Sequence, residues 1–328
     1  MIYTVTLNPA LDRELTVPNI HFNDVLRATG LRIDYGGKGF NVSRALHKLG
    51  CKNVALGFVG GSTGYKITFG LADLGVQTDF IEIGGETRTN ISIVADCSSP
   101  ADCSSPNEGT ARHIKVNEAG PIVTEAEQAA MLDKVQSLAQ PGDWWVLSGS
   151  LPRGVPKAFY AYIIERVQAT GGRAVLDTSG AALRHGCEAQ PFLVKPNAFE
   201  AQELTGIPVT SPEDATEAIT AIHQLGVAHV FISFGKSGAL LSDGTERWFA
   251  AAPTIEERNP IGAGDSAVAG LMWGLSQDRP LPESLRRGVA CGTAAASLSG
   301  TAVGDYTLVT SFIEKTSVRK LRTVPVRG

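Results

Sequence analysis

The chain has 328 residues, 43% of them hydrophobic and 19% charged, with 36 glycines and a net charge of −4. A disordered chain would carry more charge and fewer apolar residues, and the glycines follow no three-residue period, which excludes collagen. The near-neutral balance leaves no basic footprint for nucleic acid or an anionic membrane, and no apolar run reaches the roughly 18 residues of a membrane-spanning helix.

What remains is a globular protein with a large core, many turns and a backbone that approaches something closely. Met1–Leu7 alternates like an opening strand and lacks the basic and apolar regions of a secretory leader, so none is expected. Five cysteines form no disulfide-like framework and suit a reducing compartment, so a cytoplasmic location is expected.

Short apolar runs alternate with amphipathic stretches along the chain. Val54–Val59 is predicted as a strand and Tyr65–Leu74 as a helix. Glu125–Ala139 is predicted as a helix, Trp144–Leu147 as a strand, Lys157–Ala169 as a helix and Ala174–Asp177 as a strand. A strand at Phe192–Lys195, a helix at Glu213–Leu225 and a strand at His229–Ser233 follow. Near-continuous apolar strands between amphipathic helices predict a parallel sheet covered on both faces. Residues 9–35 and 84–118 break the rhythm as polar extended segments without crossover helices. They predict a small second sheet beside one large α/β domain built from 1–8, 36–83 and 119–328.

Within the second break, Ala95–Pro100 (ADCSSP) is repeated at once as Ala101–Pro106. A metal or redox loop on Cys97 and Cys103 would need further ligands nearby, and none is present. A tandem duplication in an exposed hairpin loop is the expected reading.

Asn259-Pro260-Ile261-Gly262-Ala263-Gly264-Asp265-Ser266 runs into a helical stretch, Ala267–Leu275. Gly-Ala-Gly at a helix start leaves backbone N–H groups unobstructed, and with the helix dipole they form an anion site. A carboxylate there can deprotonate a hydroxyl that attacks the held anion, as in phosphoryl transfer to an alcohol. The same run also suits a glycine-rich turn with Asp265 as its N-cap, and the residues alone leave both open. A second segment, Gly36-Gly37-Lys38-Gly39-Phe40-Asn41-Val42, precedes an amphipathic helix ending near Gly50. Its glycines allow close approach of a ligand, with Lys38 and Asn41 as polar contacts. It equally suits a plain turn between strand and helix.

Taken together, the two segments resemble both signatures of the ribokinase/PfkB family of sugar kinases. Thr6–Asp12 and Thr87–Asn90 resemble strands of the branch that acts on ketose phosphates. Ser148–Pro152, Val194–Glu200 and Ser233–Ala239 resemble the family's middle blocks and nucleotide loop, in family order over nearly the whole chain.

The resemblance implies a three-layer α/β/α sandwich with a mostly parallel central sheet, and a small β lid formed by 9–35 and 84–118. It implies Asp265 as catalytic base, with the Gly262, Ala263 and Gly264 amides as anion hole. Asp12, Gly37 and Asn41 would hold sugar hydroxyls. Lys38 and Arg88 would hold the substrate's existing phosphate, helped by Arg27, and Asn90 belongs to the same strand motif. Asn197 and Glu200 would organise Mg²⁺ and the nucleotide phosphates, Glu200 through water, with Lys195 near the phosphates. Ser233, Gly235 and Gly238 would line the ATP pocket. Asn197 and Glu200 at this spacing also form an ordinary capping box, Lys195 a strand end, and Arg88 and Arg27 solvated charges.

The implied activity is ATP-dependent phosphorylation of a ketose phosphate, first fructose 1-phosphate at its 6-hydroxyl. A Lys often expected two positions after Asn90 is Ser92 here. Asn259-Pro260 resembles tagatose-6-phosphate kinases, so tagatose 6-phosphate is the alternative, with fructose 6-phosphate third. A non-catalytic sugar-phosphate sensor is the alternative of another class. Neither nucleic acid nor membrane is an expected partner, and exposed lid edges suggest a homodimer through the lid. Gly235-Lys236-Ser237 lacks the upstream glycine of a P-loop, and no dinucleotide-binding fingerprint is present. Gly60-Gly61-Ser62-Thr63-Gly64 matches a nucleophile elbow, but no late loop supplies its histidine, and a glycine-rich turn beside the sugar pocket is expected.

Overall fold

The computed structural model describes residues 1–21, 23–95 and 113–321, so Cys97, Cys103 and the duplicated hexapeptide beyond Ala95 lie outside the described residues. The chain opens with β1 (Ile2–Thr6), β2 (Ala10–Val17), β3 (Gly30–Gly36), α1 (Lys38–Lys48), β4 (Asn53–Val59) and α2 (Gly61–Asp73). It continues through β5 (Gln77–Thr78), β6 (Ile81–Glu82), β7 (Arg88–Ala95), β8 (His113–Asn117), α3 (Glu125–Leu138), β9 (Trp144–Ser148), α4 (Phe159–Ala169), β10 (Arg173–Asp177) and α5 (Gly180–Glu188). Then come β11 (Leu193–Val194), α6 (Ala198–Thr205), α7 (Ala215–Gln224), β12 (His229–Ser233), β13 (Gly238–Ser242) and β14 (Arg247–Ala251). The last elements are α8 (Ala263–Leu275), α9 (Leu281–Ala296), α10 (Tyr306–Ile313) and β15 (Ser317–Lys320).

The large sheet runs β15-β14-β13-β12-β11-β10-β9-β1-β4-β5, with β6 also paired to β4. From β5 to β12 every pairing is parallel, and β12 to β15 form an antiparallel edge. This is the expected ribokinase-like architecture. Alternate residues of each strand feed opposite layers. Trp145 and Leu147 pack with Met131, Phe159 and Ile163 under α3 and α4, whereas Trp144 and Val146 pack with Val42, Leu46 and Leu271 under α1 and α8. Each such fully buried side chain contributes about 1.5–3 kcal/mol relative to exposure.

The small sheet, β3-β2-β7-β8, stands apart from the large one. Its register puts Asp12 opposite Asp34 on β3 and Asn90 on β7, and Asn90 opposite Asn117 on β8. The alternate residues, Ile33, Arg13, Ile91 and Val116, form a row on the other face.

Several boundaries differ from the sequence reading: α4 starts at Phe159 and not Lys157, β11 is confined to Leu193–Val194, and one helix start has a clear local cause. The helix predicted from Tyr65 begins at Gly61, because Glu86 caps it from a distant strand approach: Ser62 N and Thr63 N donate to its carboxylate at 3.2 and 2.7 Å. Ser62 is thus a first-turn residue whose hydroxyl meets Glu86 at 3.2 Å, and the Gly60–Gly64 run is no free glycine turn. The helix predicted from Glu213 starts at Ala215.

Candidate active site

The polar residues gather beyond the carboxyl ends of the parallel strands, where helix N-termini converge on the sheet. α1 starts at Lys38 after Gly37, whose φ of 139° suits glycine, and a Cβ there would lie 2.6 Å from Thr6 Cγ2. α8 starts at Ala263 after Gly262, held in the left-handed region at φ 82°. From Asp265 to Leu275 α8 is buried on every side. Gly270 and Gly274 bring it so close to α9 that added Cβ atoms would stand 2.4 Å from Arg287 O and 2.5 Å from Ser284 Oγ. That packing fixes the first turn, and with it Asp265.

Asp265 is only 6% exposed. Its Oδ2 accepts from Asn41 Nδ2 at 2.8 Å. Burial pushes its pKa up to about 6, the charge of Asp177 adds to the rise, and Asn41, Lys38 and Lys195 pull it back. A carboxylate held near neutrality suits a general base.

The fully buried Asp177, at the end of β10, binds two lysines: Lys38 Nζ and Lys195 Nζ each donate to its Oδ1 at 3.2 Å. Its Oδ2 is buried without a partner. Burial alone would depress the Lys38 ammonium, but the charges of Asp177, Asp265 and Glu200 outweigh it and hold the pKa above its ordinary value. Asp177 is not among the residues that the sequence marks for the site, where it reads as a strand end.

At the start of α8 the Ala263 N–H donates to Pro260 O at 3.2 Å and Ser266 N–H to Gly262 O at 2.9 Å. The amides of Gly262, Gly264 and Asp265 have no partner among the described residues. This corrects the expectation for Ala263: the left-handed turn at Gly262 folds its N–H back onto the chain. The Gly262 and Gly264 amides on either side of it stay open, and the Asp265 amide joins them.

Asn197 and Glu200 form the capping box of α6, with Glu200 N on Asn197 Oδ1 at 2.8 Å and Asn197 N on Glu200 Oε2 at 2.9 Å. Asn197 also bridges to Ser233, which places it beside the turn after β12. Ser233, Gly235 and Gly238 line a cavity of about 530 Å³ together with Ala263 and Gly264. Its other walls include Pro253 and Ile255, and Val289, Gly292 and Thr293 of α9, none of them predicted. Small residues on an ordinary-looking helix gave no signal for that wall.

On the small sheet Asn90 Nδ2 donates to Asp12 Oδ1 at 2.7 Å, and burial raises the Asp12 pKa. Asn90 Oδ1 and Asn8 Oδ1 are buried acceptors without partners. A Cβ at Gly36 would lie 2.1 Å from Asp12 Oδ2, so any larger residue would displace the Asp12 carboxylate. Arg88 is anchored on three carbonyls, Pro9, Glu118 and Asn8, at 3.3, 3.2 and 3.1 Å. Two of its five N–H groups remain open. Arg27 stands exposed between β2 and β3, with no hydrogen bond or ion pair among the described residues. The structure does not bring it into the cluster. Lys38 and Lys195, in contrast, meet on Asp177, and Asn41 meets Asp265, which feels the charges of Asp177 and both lysines.

No helix among the described residues is long and apolar enough to cross a membrane.

The sequence model for "pfkB family carbohydrate kinase" matches residues 6–307. A 1-phosphofructokinase of Bacillus subtilis (strain 168) is 38% identical over 296 residues, 90% of this chain and 92% of that one. Phosphofructokinase-2 from Escherichia coli, solved in complex with substrates and products, superposes with a TM-score of 0.86 at 31% identity, covering 96% of this chain and 98% of that one. Its tetrameric inhibited form superposes with a TM-score of 0.85 at 30% identity, over the same shares. With the family model matching most of the chain and a relative 38% identical over nine-tenths of it, the chain is a member of the pfkB family of carbohydrate kinases.

Proposed function

We propose that this kinase transfers the γ-phosphoryl group of ATP to the 6-hydroxyl of fructose 1-phosphate, giving fructose 1,6-bisphosphate. The observation that carries the chemistry is the buried Asp265, with a pKa of about 6, one residue from the open Gly264 amide. The identity of the sugar leans on the relative named 1-phosphofructokinase.

ATP suits the cavity between the β12–β13 turn and α9, whose mouth reaches Gly264. The sugar suits the space under the small sheet. Asp12 and the unpartnered Asn90 Oδ1 and Asn8 Oδ1 would accept from its hydroxyls. The open N–H groups of Arg88 suit its phosphate. Ser92 lacks the side chain of a lysine, but Lys115 stands opposite it across the β7–β8 pair and supplies a cation on the same face.

Asp265 would take the proton of the attacking hydroxyl, and the Gly264 and Asp265 amides would take up charge developing on the phosphoryl oxygens. Lys38, expected on the sugar's existing phosphate, instead shares Asp177 with Lys195, so both lysines would face the nucleotide phosphates. Closure of the small sheet would exclude water.

The donor set also fits Mg²⁺ carried on ATP. Asp177 Oδ2 is buried and unpartnered, and the capping box leaves Glu200 Oε1 open. A hard cation of this size is held by one or two carboxylates plus phosphates and water. Glu200 and Asp177 would hold it, and when bound it neutralises charge between the nucleotide phosphates.

Asn259, the residue that suggested tagatose 6-phosphate, has a structural task. Its Nδ2 donates to Gly300 O at 2.8 Å and its Oδ1 accepts from Ile261 N at 3.0 Å. ADP release measured over the three candidate ketose phosphates tests the assignment.

We also propose that a second copy of the chain covers the outer face of the small sheet, where Leu31, Ile33, Ile91 and Val116 are exposed in neighbouring strands. The tetrameric form of the E. coli neighbour supports self-association in this fold. Ile33→Glu with Ile91→Glu should lower the mass in sedimentation from two chains to one.

A further inference from the structure

Arg44, on α1 three residues beyond Asn41, carries no motif signal in the sequence. Its Nη1 donates to Asn41 Oδ1 at 3.2 Å and its Nη2 to Thr301 O at 3.2 Å. A guanidinium has only donors. The Asn41 atom that faces it is therefore the carbonyl oxygen, and the amide NH₂ is turned to Asp265. There Nδ2 donates to Oδ2 at 2.8 Å. An amide NH₂ also has only donors, so Asp265 must present a lone pair at Oδ2. Oδ1, which accepts no hydrogen bond among the described residues, is the freer oxygen to receive a proton.

The anchor is part of the same device. Thr301 follows α9, and its neighbour Gly300 accepts from Asn259 Nδ2 at 2.8 Å. Asn259 leads directly into the turn at Gly262 that starts α8. Hydrogen bonds from Asp265 through Asn41, Arg44 and the 300–301 loop to Asn259 thus close a ring around the first turn of α8. Asp34 and Asp12 of the small sheet face Arg44 with opposite charge. The charged groups facing Asp265 are Asp177, Lys38 and Lys195.

We propose that Arg44 is a positioning residue that sets, through the Asn41 amide, which oxygen of Asp265 acts as the base. This rests on the kinase reading only for the role of Asp265. Without Arg44 the Asn41 amide is held in this orientation only by the Asp265 carboxylate itself, a hold that is lost when that carboxyl is protonated. A rotated amide would set its oxygen against the carboxylate, two acceptors face to face, and Asp265 would turn away or protonate.

The test combines Arg44→Met, Asn41→Ala and the double variant with kinetics and with NMR of the Asn41 side-chain amide. Arg44→Met should lower kcat about 100-fold, the scale of a misplaced catalytic group, and leave both KM values within about threefold. The double variant should lose no more than Asn41→Ala alone, because Arg44 acts through Asn41. Arg44→Lys, which keeps donors only, should recover part of kcat. The slowly exchanging Asn41 NH₂ protons should become fast in Arg44→Met. Losses that multiply in the double variant, or Asn41 amide signals unchanged by Arg44→Met, would overturn the proposal. If the wild type turns over no ketose phosphate, the kinase reading alone fails, and the amide signals still decide the positioning.

Discussion

Asn41 and Asp265, 224 residues apart in the chain, meet through a buried hydrogen bond of 2.8 Å. The bond joins the first turns of α1 and α8, so two glycine-rich segments that are each a weak signal form one site. Asn41 is expected from the sequence to hold a sugar hydroxyl. Its donor is engaged with the proposed base, which ties sugar recognition and proton removal to the same two helices.

Asp265→Asn should lower kcat by about 10²–10⁴-fold, the range for a positioned general base, with ATP affinity retained. The same change should stabilise the fold above pH 6. The carboxyl has a pKa of about 6 in the folded protein, against an ordinary 3.8. The folded state therefore holds more protons than the unfolded one between these values, and stability falls as pH rises through them. Removing the charge relieves up to about 3 kcal/mol, because a tenfold change in proton affinity is worth about 1.4 kcal/mol. Thermal unfolding at pH 8 with and without the substitution measures it.

The base must be ionised to accept a proton. kcat/KM should therefore fall with unit slope as pH drops below about 6, the Asp265 value. A profile flat down to about pH 4.5 would place the base elsewhere.

Asp177→Asn should move that acidic limb to lower pH. The Asp177 charge is one cause of the raised Asp265 value, and it neutralises Lys38 and Lys195. Without it both effects lower the Asp265 pKa. KM for ATP should rise at least about tenfold as the lysines lose their shared anchor, the scale of a lost charge-assisted hydrogen bond. A pH profile with ATP saturating separates the two effects.

Gly264→Ala should leave folding intact and impair ATP use. A Cβ there finds nothing nearer than Lys195 Nζ at 3.7 Å, an ordinary contact. Alanine within a helix is favoured over glycine by about 0.5–1 kcal/mol, so the melting temperature should hold or rise. The methyl group would nevertheless stand where the phosphates approach the Gly264 amide. kcat/KM for ATP should drop at least about tenfold, the cost of about 1.4 kcal/mol of lost transition-state contact.

The architecture and its two glycine-rich helix starts were legible because apolar strands, periodic helices and local turn residues carry their own signal. Lys195, Asn197 and Glu200 were marked only through the resemblance to the family, because on their own they read as a strand end and a capping box. Asp177 was not, because an acid at a strand end becomes distinctive only when β10 lies between two lysines from α1 and from the end of β11. Arg44 was hidden in an amphipathic helix, where an arginine ordinarily means solvent. The Ala263 amide was misassigned because its N–H depends on the handedness at Gly262, a backbone angle that residue type permits but does not dictate. The wall of Val289, Gly292 and Thr293 depends on how α9 packs, which periodicity does not reveal.

The most direct test of the central claim is a coupled assay of ADP release with fructose 1-phosphate, tagatose 6-phosphate and fructose 6-phosphate as acceptors. The account predicts the highest kcat/KM with fructose 1-phosphate, by at least about tenfold, equivalent to about 1.4 kcal/mol of transition-state discrimination. Equal and negligible rates with all three sugars would contradict it.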